Sequence, residues 1–340
     1  MEHLKSRLLD GMCDVFAQDS NQRTLIFMLE GLDASTRDFF EVLQLLVAVG
    51  ADLNHMDHQG NSVLMLSSND ALNVALVWVG AKTYYYEKHF RKRALAMAAA
   101  NGCCDTMDAI MVRDSPDQDY VDRSLHSAAL QISYDSEEDD MSGIVRLVNV
   151  YDACVNRCGT LSRCVDRNPF VVSVLISLGA DRSARTWDWQ RGLRNTAVHR
   201  AADCNDLGVL QALVYGLSPA ELDVKDEFGN TPLMTLLSER LSSVGYLRQR
   251  FDWLVGRGAS CLPFDNNGKR VSEKLWGRRQ PFLALIEARV KEENWFKRRG
   301  FVFLRKRGIS AEDGGEDDYL VLEVAFLAEF GVFKNILGFL

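Results

Sequence analysis

The feature that most constrains this chain is a pattern that returns at nearly constant spacing. Asp226–Met234 reads DEFGNTPLM and Asn195–Ala202 reads NTAVHRAA, which sets Thr196 and Thr231 35 residues apart. An apolar helix-like run, Leu207–Leu217, lies between them, and a similar run, FDWLVGRGA, follows at Phe251–Ala259. Self-similarity of this kind means stacked units, because one short unit cannot bury its apolar face alone. The local chemistry fits helix pairs. Thr231 is placed to cap a helix by accepting from an otherwise unpaired backbone N–H. Pro232 sits just inside, where its missing N–H costs little. The glycine of each Gly-Ala pair stops a second helix by taking a left-handed conformation.

Further copies keep the same phase. Val47–Leu64 (VAVGADLNHMDHQGNSVL) carries a helix end, a loop and the next helix start, and Gly80-Ala81 follows Gly50-Ala51 by 30 residues. Arg93–Met111 reads as a short helix, a glycine turn and a second helix, and RSLHSAA at Arg123–Ala129 starts another 30 residues after Arg93. Pro169–Asp181 (PFVVSVLISLGAD) ends on a Gly-Ala-Asp stop, and Gly268–Leu275 is a degenerate helix start 39 residues after Gly229. These residues resemble the ankyrin repeat, whose period is about 33 with a T-P-L-H-x-A signature. Only one complete T-P-L is present, and no unit is a full consensus copy.

The resemblance implies an all-α fold, an α-solenoid of helix pairs joined by finger loops, with seven or eight units over residues 20–290. Residues 1–19 then read as an N-terminal capping segment, and residues 291–340 as a basic and acidic linker with an amphipathic tail. The histidine of the signature, matched by His199 and His126, is expected to tie its turn to the neighbouring finger. The resemblance also implies function. Such arrays bind another protein through the concave face and finger tips, without cofactor, metal or catalysis.

Departures from the repeat point to the contact surface. Gly50 to Ser62 and Gly258 to Arg270 each span 12 residues, whereas Gly179 to Thr196 spans 17. The lengthened finger, DRSARTWDWQRGLRN, carries Trp187, Trp189, Arg191 and Arg194. Trp and Arg dominate interface hot spots, so these four are candidate partner-binding residues. The other reading folds the two rings back over the concave face as local packing. His55, Met56, His58 and Phe228, on other fingers, complete the candidate set. Asn54 occupies a finger position that the resemblance marks for asparaginyl hydroxylation. The acidic stretch Ser133–Ser142 (SYDSEEDDMS) reads as a solvated loop or as an attractor for a basic partner.

Composition excludes several classes. A formal net charge of −8 gives no global reason to expect nucleic-acid binding. No apolar run approaches the ~20 residues of a membrane helix, and no secretory h-region is evident near the start. An intracellular protein is expected, cytoplasmic first and nuclear as the alternative. Eight cysteines therefore read as reduced thiols. Cys154, Cys158 and Cys164 lack the paired spacing of a zinc site, and His55 and His58 alone do not make one. No G-x-S-x-G, P-loop, H-E-x-x-H or Rossmann fingerprint occurs, so no enzyme is expected.

The C-terminal end changes character. Lys269–Arg307 holds 13 Lys/Arg against four Glu, interleaved with Trp295, Phe296, Phe301 and Phe303. It reads as the polar outer face of a capping helix, or as a basic patch for import, nucleic acid or lipid. Within Tyr319–Leu340 the second run, GVFKNILGFL (Gly331–Leu340), faintly resembles the short amphipathic helix of F-box-like segments. That gives an alternative function, a substrate adaptor recruiting a ubiquitin ligase through the tail.

Overall fold

The computed structural model describes residues 2–84, 94–132, 141–188, 193–204, 206–238, 244–274 and 281–306. This chain is mainly helical, as expected. Helix α1 (Glu2–Leu9) comes first and packs on α3 (Thr36–Ala48), after the single turn α2 (Leu25–Met28). Helices then follow in pairs: α4 (Val63–Leu66) and α5 (Asp70–Val79), α6 (Ala94–Ala100) and α7 (Cys104–Asp114), α8 (Gln118–Gln131) and α9 (Ser142–Asn149). Next come α10 (Thr160–Cys164) and α11 (Pro169–Ser177), then α12 (Ala197–Asp203) and α13 (Leu207–Val214). A turn, α14 (Pro219–Leu222), precedes α15 (Pro232–Ser238) and α16 (Val244–Gly256), and α17 (Pro281–Lys306) ends the described chain. Residue 290, where the repeat array was expected to end, lies inside α17.

Contacts run between corresponding members of successive pairs. Among first helices, α4 packs on α6, α6 on α8, α8 on α10, α10 on α12 and α12 on α15. Among second helices, α3 packs on α5, α5 on α7, α11 on α13 and α13 on α16. Buried Phe39, Leu43 and Leu46 of α3, Leu72 and Leu76 of α5, and Met107 and Ile110 of α7 belong to one core that continues through Leu233, Leu236 and Leu254. Helix α6 buries Leu95 and otherwise only alanines: Ala94, Ala96, Ala98 and Ala99. That leaves room for α9 to approach closely. A Cβ placed on Gly143 would lie 2.6 Å from Ala99 Cα.

The helix signals act where the sequence puts them. Ser35, Asn69, Asp117, Asn168 and Asp206 each accept an N–H of the first turn that they precede. Thr231 Oγ1 accepts from Met234 N–H at 3.4 Å. At the other end, Gly50, Gly80, Gly179 and Gly258 have φ of 93°, 113°, 89° and 104°. The alanine after each donates its N–H to a carbonyl five residues back: Ala51 to Leu46, Ala81 to Leu76 and Ala180 to Leu175 at 2.9 Å, and Ala259 to Leu254 at 3.0 Å. These are Schellman closures, and the left-handed glycine makes them possible.

One element is not helical. β1 (Thr186–Asp188) pairs antiparallel with β2 (Leu193–Asn195), with Trp187 opposite Arg194. The five extra residues of this finger thus extend it as a two-stranded hairpin. No described helix is long and apolar enough to cross a membrane.

Candidate functional site

The candidate site is the row of finger loops, and four of them are built on an aspartate. Asp57 lies three residues before Gly60, and its backbone N–H donates to Asn61 O at 2.9 Å while its carboxylate accepts from the N–H groups of Gln59 and Asn61, both at 2.9 Å. Asp226 repeats this with Phe228 and Asn230, at 2.9 and 2.8 Å. Asp265 does so with Asn267 and Lys269, both at 2.8 Å. Asp19 does so with Asn21 and Arg23, also at 2.8 Å, although Gln22 holds the positive φ there. A carboxylate that accepts two N–H groups fixes the turn as an Asx motif. Burial pushes the Asp57 carboxyl up, yet the N–H groups of Asn61 and Gln59 and the Asn61 amide outweigh it and hold it below the usual carboxylate range. The D-x-x-G spacing was a readable signal for three of these aspartates, and the sequence reading passed it over.

Neighbouring fingers are tied together. His199 Nδ1 takes the Thr196 N–H at 3.4 Å in a capping box, and its Nε2 donates to Asn230 O on the next finger at 2.9 Å. This bonding requires the neutral tautomer with hydrogen on Nε2. His126 Nδ1 lies 3.1 Å from Thr160 Oγ1 at the next helix start. Asn54 Oδ1 accepts from Lys82 N–H at 2.7 Å, Asn156 Oδ1 from Asp181 N–H at 2.7 Å, and Asp223 Oδ1 from Ser260 N–H at 3.0 Å. Asp122 is buried and accepts the Cys154 N–H and the Arg157 guanidinium, both at 2.8 Å. Burial works to raise its carboxyl, but Arg157 and the Cys154 N–H prevail and lower it.

The candidate residues fall into distinct settings. His55 Nε2 donates to Gln22 O at 2.7 Å, and its ring meets Phe27 edge-on at 6.4 Å. His58 Nδ1 lies 3.2 Å from Asn21 O. Both rings therefore join their finger to the preceding one. Met56 is half-buried and His58 exposed. Phe228 stands out from its finger at 52% exposure. Arg194 is exposed, and its N–H donates to Glu227 Oε2 at 3.0 Å. Trp187 is placed by its strand. Its side chain, together with Trp189, Arg191, most of the acidic stretch (133–140) and the tail (319–340), lies outside the described residues.

The hairpin finger is anchored at its base. Arg182 Nη1 donates to Tyr215 O at 2.6 Å and Leu213 O at 3.2 Å, just past and within the last turn of α13. This is where helix carbonyls lack partners and a cation is favoured. A cavity of about 200 Å³ sits beneath, lined by Asp181, Arg182, Thr196, Val198 and Glu221 among others. That is smaller than the ~300–1,000 Å³ of typical small-molecule sites. A larger groove of about 560 Å³ is open to solvent between α1 and α3, where Lys5 bridges Glu2 and Glu41. Among the described residues, no three His, Cys, Asp or Glu side chains gather to hold a metal ion.

No family model matches the sequence, and no curated protein matches it.

Proposed function

We propose that this chain is an ankyrin-type array that holds another protein on its concave face and finger tips, and that it is non-catalytic and uses no cofactor. The observation that carries this reading is the His199 bridge from its own helix cap to the Asn230 carbonyl of the next finger, 31 residues on. It is the contact that the repeat signature implies, made by the residue at the implied position. Four fingers built on Asp19, Asp57, Asp226 and Asp265 with the same hydrogen bonds add to it. Fingers held this way present Phe228 with little left to order on binding, which favours affinity.

The test is affinity purification with mass spectrometry, using the wild-type chain and a Trp187→Ala, Trp189→Ala variant. The variant should lose partner recovery while its melting curve stays nearly unmoved. A large loss of stability with unchanged recovery would reject these fingers as the contact.

A further inference from the structure

The described residues of three neighbouring fingers, 181–188 with 193–195, 223–230 and 264–270, form one connected ridge. Arg185 Nη2 donates to Lys225 O at 2.7 Å, and Lys225 Nζ donates to Phe264 O at 2.8 Å. The Asn266 N–H donates to Phe228 O at 2.9 Å and its side-chain amide to Glu227 O at 2.8 Å. The ridge turns two of its aspartates inward and leaves Asp181 and Glu227 exposed beside its cations. Arg185, Arg194, Lys225, Lys269 and Arg270 are exposed, and none makes an ion pair within the described residues. Asp226 and Asp265 are buried, each committed to two backbone N–H groups. Glu227 takes the Arg194 N–H, and Asp223 takes the Ser260 N–H.

This end of the finger row differs from the other. The described residues of the three fingers hold six Lys/Arg against six Asp/Glu, whereas residues 12–24 and 51–61 hold one Arg against four Asp. Phe228 and Phe264, 52% and 45% exposed, stand on two of these adjacent fingers. Arg270 stacks 5.2 Å from the Phe264 ring centroid, which keeps that guanidinium oriented. Exposed rings and exposed cations that have no carboxylate partner among the described residues match a chain that carries both carboxylates and apolar side chains. A nucleic acid wants a continuous cationic track for its phosphates. The interleaved Glu227 and Asp223 interrupt such a track.

We infer that this ridge binds an extended acidic segment of a partner protein. Carboxylates of that segment meet Arg185, Arg194, Lys225, Lys269 and Arg270, and its apolar side chains rest on Phe228 and Phe264. The inference rests on the reading that the fingers are the binding surface, and it names the chemistry that they select.

The test uses the full chain and fluorescence anisotropy at low salt with three labelled probes. These are an unstructured Glu/Leu peptide with Gly-Ser spacing, the same peptide with Lys for Glu, and an oligothymidylate of equal length. The Glu peptide should bind most tightly and weaken as salt rises. Arg194→Glu with Lys269→Glu changes two side chains that make no described side-chain contact, and should weaken binding about tenfold with the melting curve unmoved. Phe228→Ala should weaken it further. Equal binding of the Lys peptide, tighter binding of the oligothymidylate, no binding of the Glu peptide, or indifference to the charge reversal each overturns the inference. A photo-crosslinker at position 228 separates the two levels. Capture of a partner that ignores the charge reversal sinks the acidic-segment inference and leaves finger binding standing. No capture at any finger sinks the binding reading itself.

Discussion

Replacing Arg250 with methionine is expected to loosen the junction between α12 and α16. Arg250 is only 1% exposed, although it carries a permanent charge. Its Nη1 donates to Ala202 O at 3.1 Å and Cys204 O at 2.5 Å, at the C-terminal end of α12. Those carbonyls have no donor within their own helix, and the helix end carries partial negative charge. Hydrogen bonds to a charged group contribute about 1.5–3 kcal/mol each. Methionine fills most of the volume, so the cavity contribution is small and the lost bonds dominate. A loss of about 2–4 kcal/mol follows for Arg250→Met, and more for Arg250→Ala, which also leaves a void. Lysine is expected to fall between wild type and methionine, because one ammonium does not span two carbonyls as the guanidinium does. Stacked helical units unfold with limited cooperativity, so a single melting temperature blurs a local effect. Amide hydrogen exchange read by peptide is the better assay. Protection of α12 and α16 should fall about a hundredfold for a loss near 3 kcal/mol, while α3 and α5 stay unchanged. Unaltered protection in α12 would refute the argument that the buried guanidinium holds those carbonyls.

Four further outcomes are expected. Gly143→Ala pushes a methyl against the Ala99 backbone, 2.6 Å from its Cα, and should destabilise by about 1–3 kcal/mol in chemical denaturation; a neutral result would show that α6 and α9 separate freely. Gly80→Ala meets no atom within 4 Å but must hold a φ of 113°, so it should cost about 1–2 kcal/mol. Gly229→Ala should cost more, since its Cβ would also lie 2.6 Å from the Asn266 nitrogen. Asp57 titrates lower in the folded chain than its ordinary value of 3.8, so its stabilisation is present above that pH and is lost as pH falls through the folded value. Asp57→Asn keeps an acceptor for the turn without the charge, and its unfolding midpoint should depend less on pH below about 4 than that of wild type; parallel acid profiles would contradict this.

The parts legible in the sequence share a physical character: their partners lie within one turn. Thr231 reaches Met234, three residues on, and the Ala51, Ala81, Ala180 and Ala259 closures reach back five. A cap residue or a left-handed glycine carries its own geometric requirement, so its spacing shows on the page. Even the Asp57 and Asp226 turns were within reach, because each spends its carboxylate on N–H groups two and four residues away.

What the tertiary structure alone decided depends on residues far apart in the chain. Arg250 looks like any surface cation of an amphipathic helix until α12, 48 residues earlier, brings its carbonyl end against it. Gly143 has no marked backbone angle, and only the alanine face of α6 makes it necessary. The lengthened finger was visible as five extra residues, but its closure into β1 and β2 and the anchoring of Arg182 on the end of α13 required the stacked neighbour. Local bonding fixes where helices start and stop; where a side chain such as Arg250 is buried is set by the unit next door.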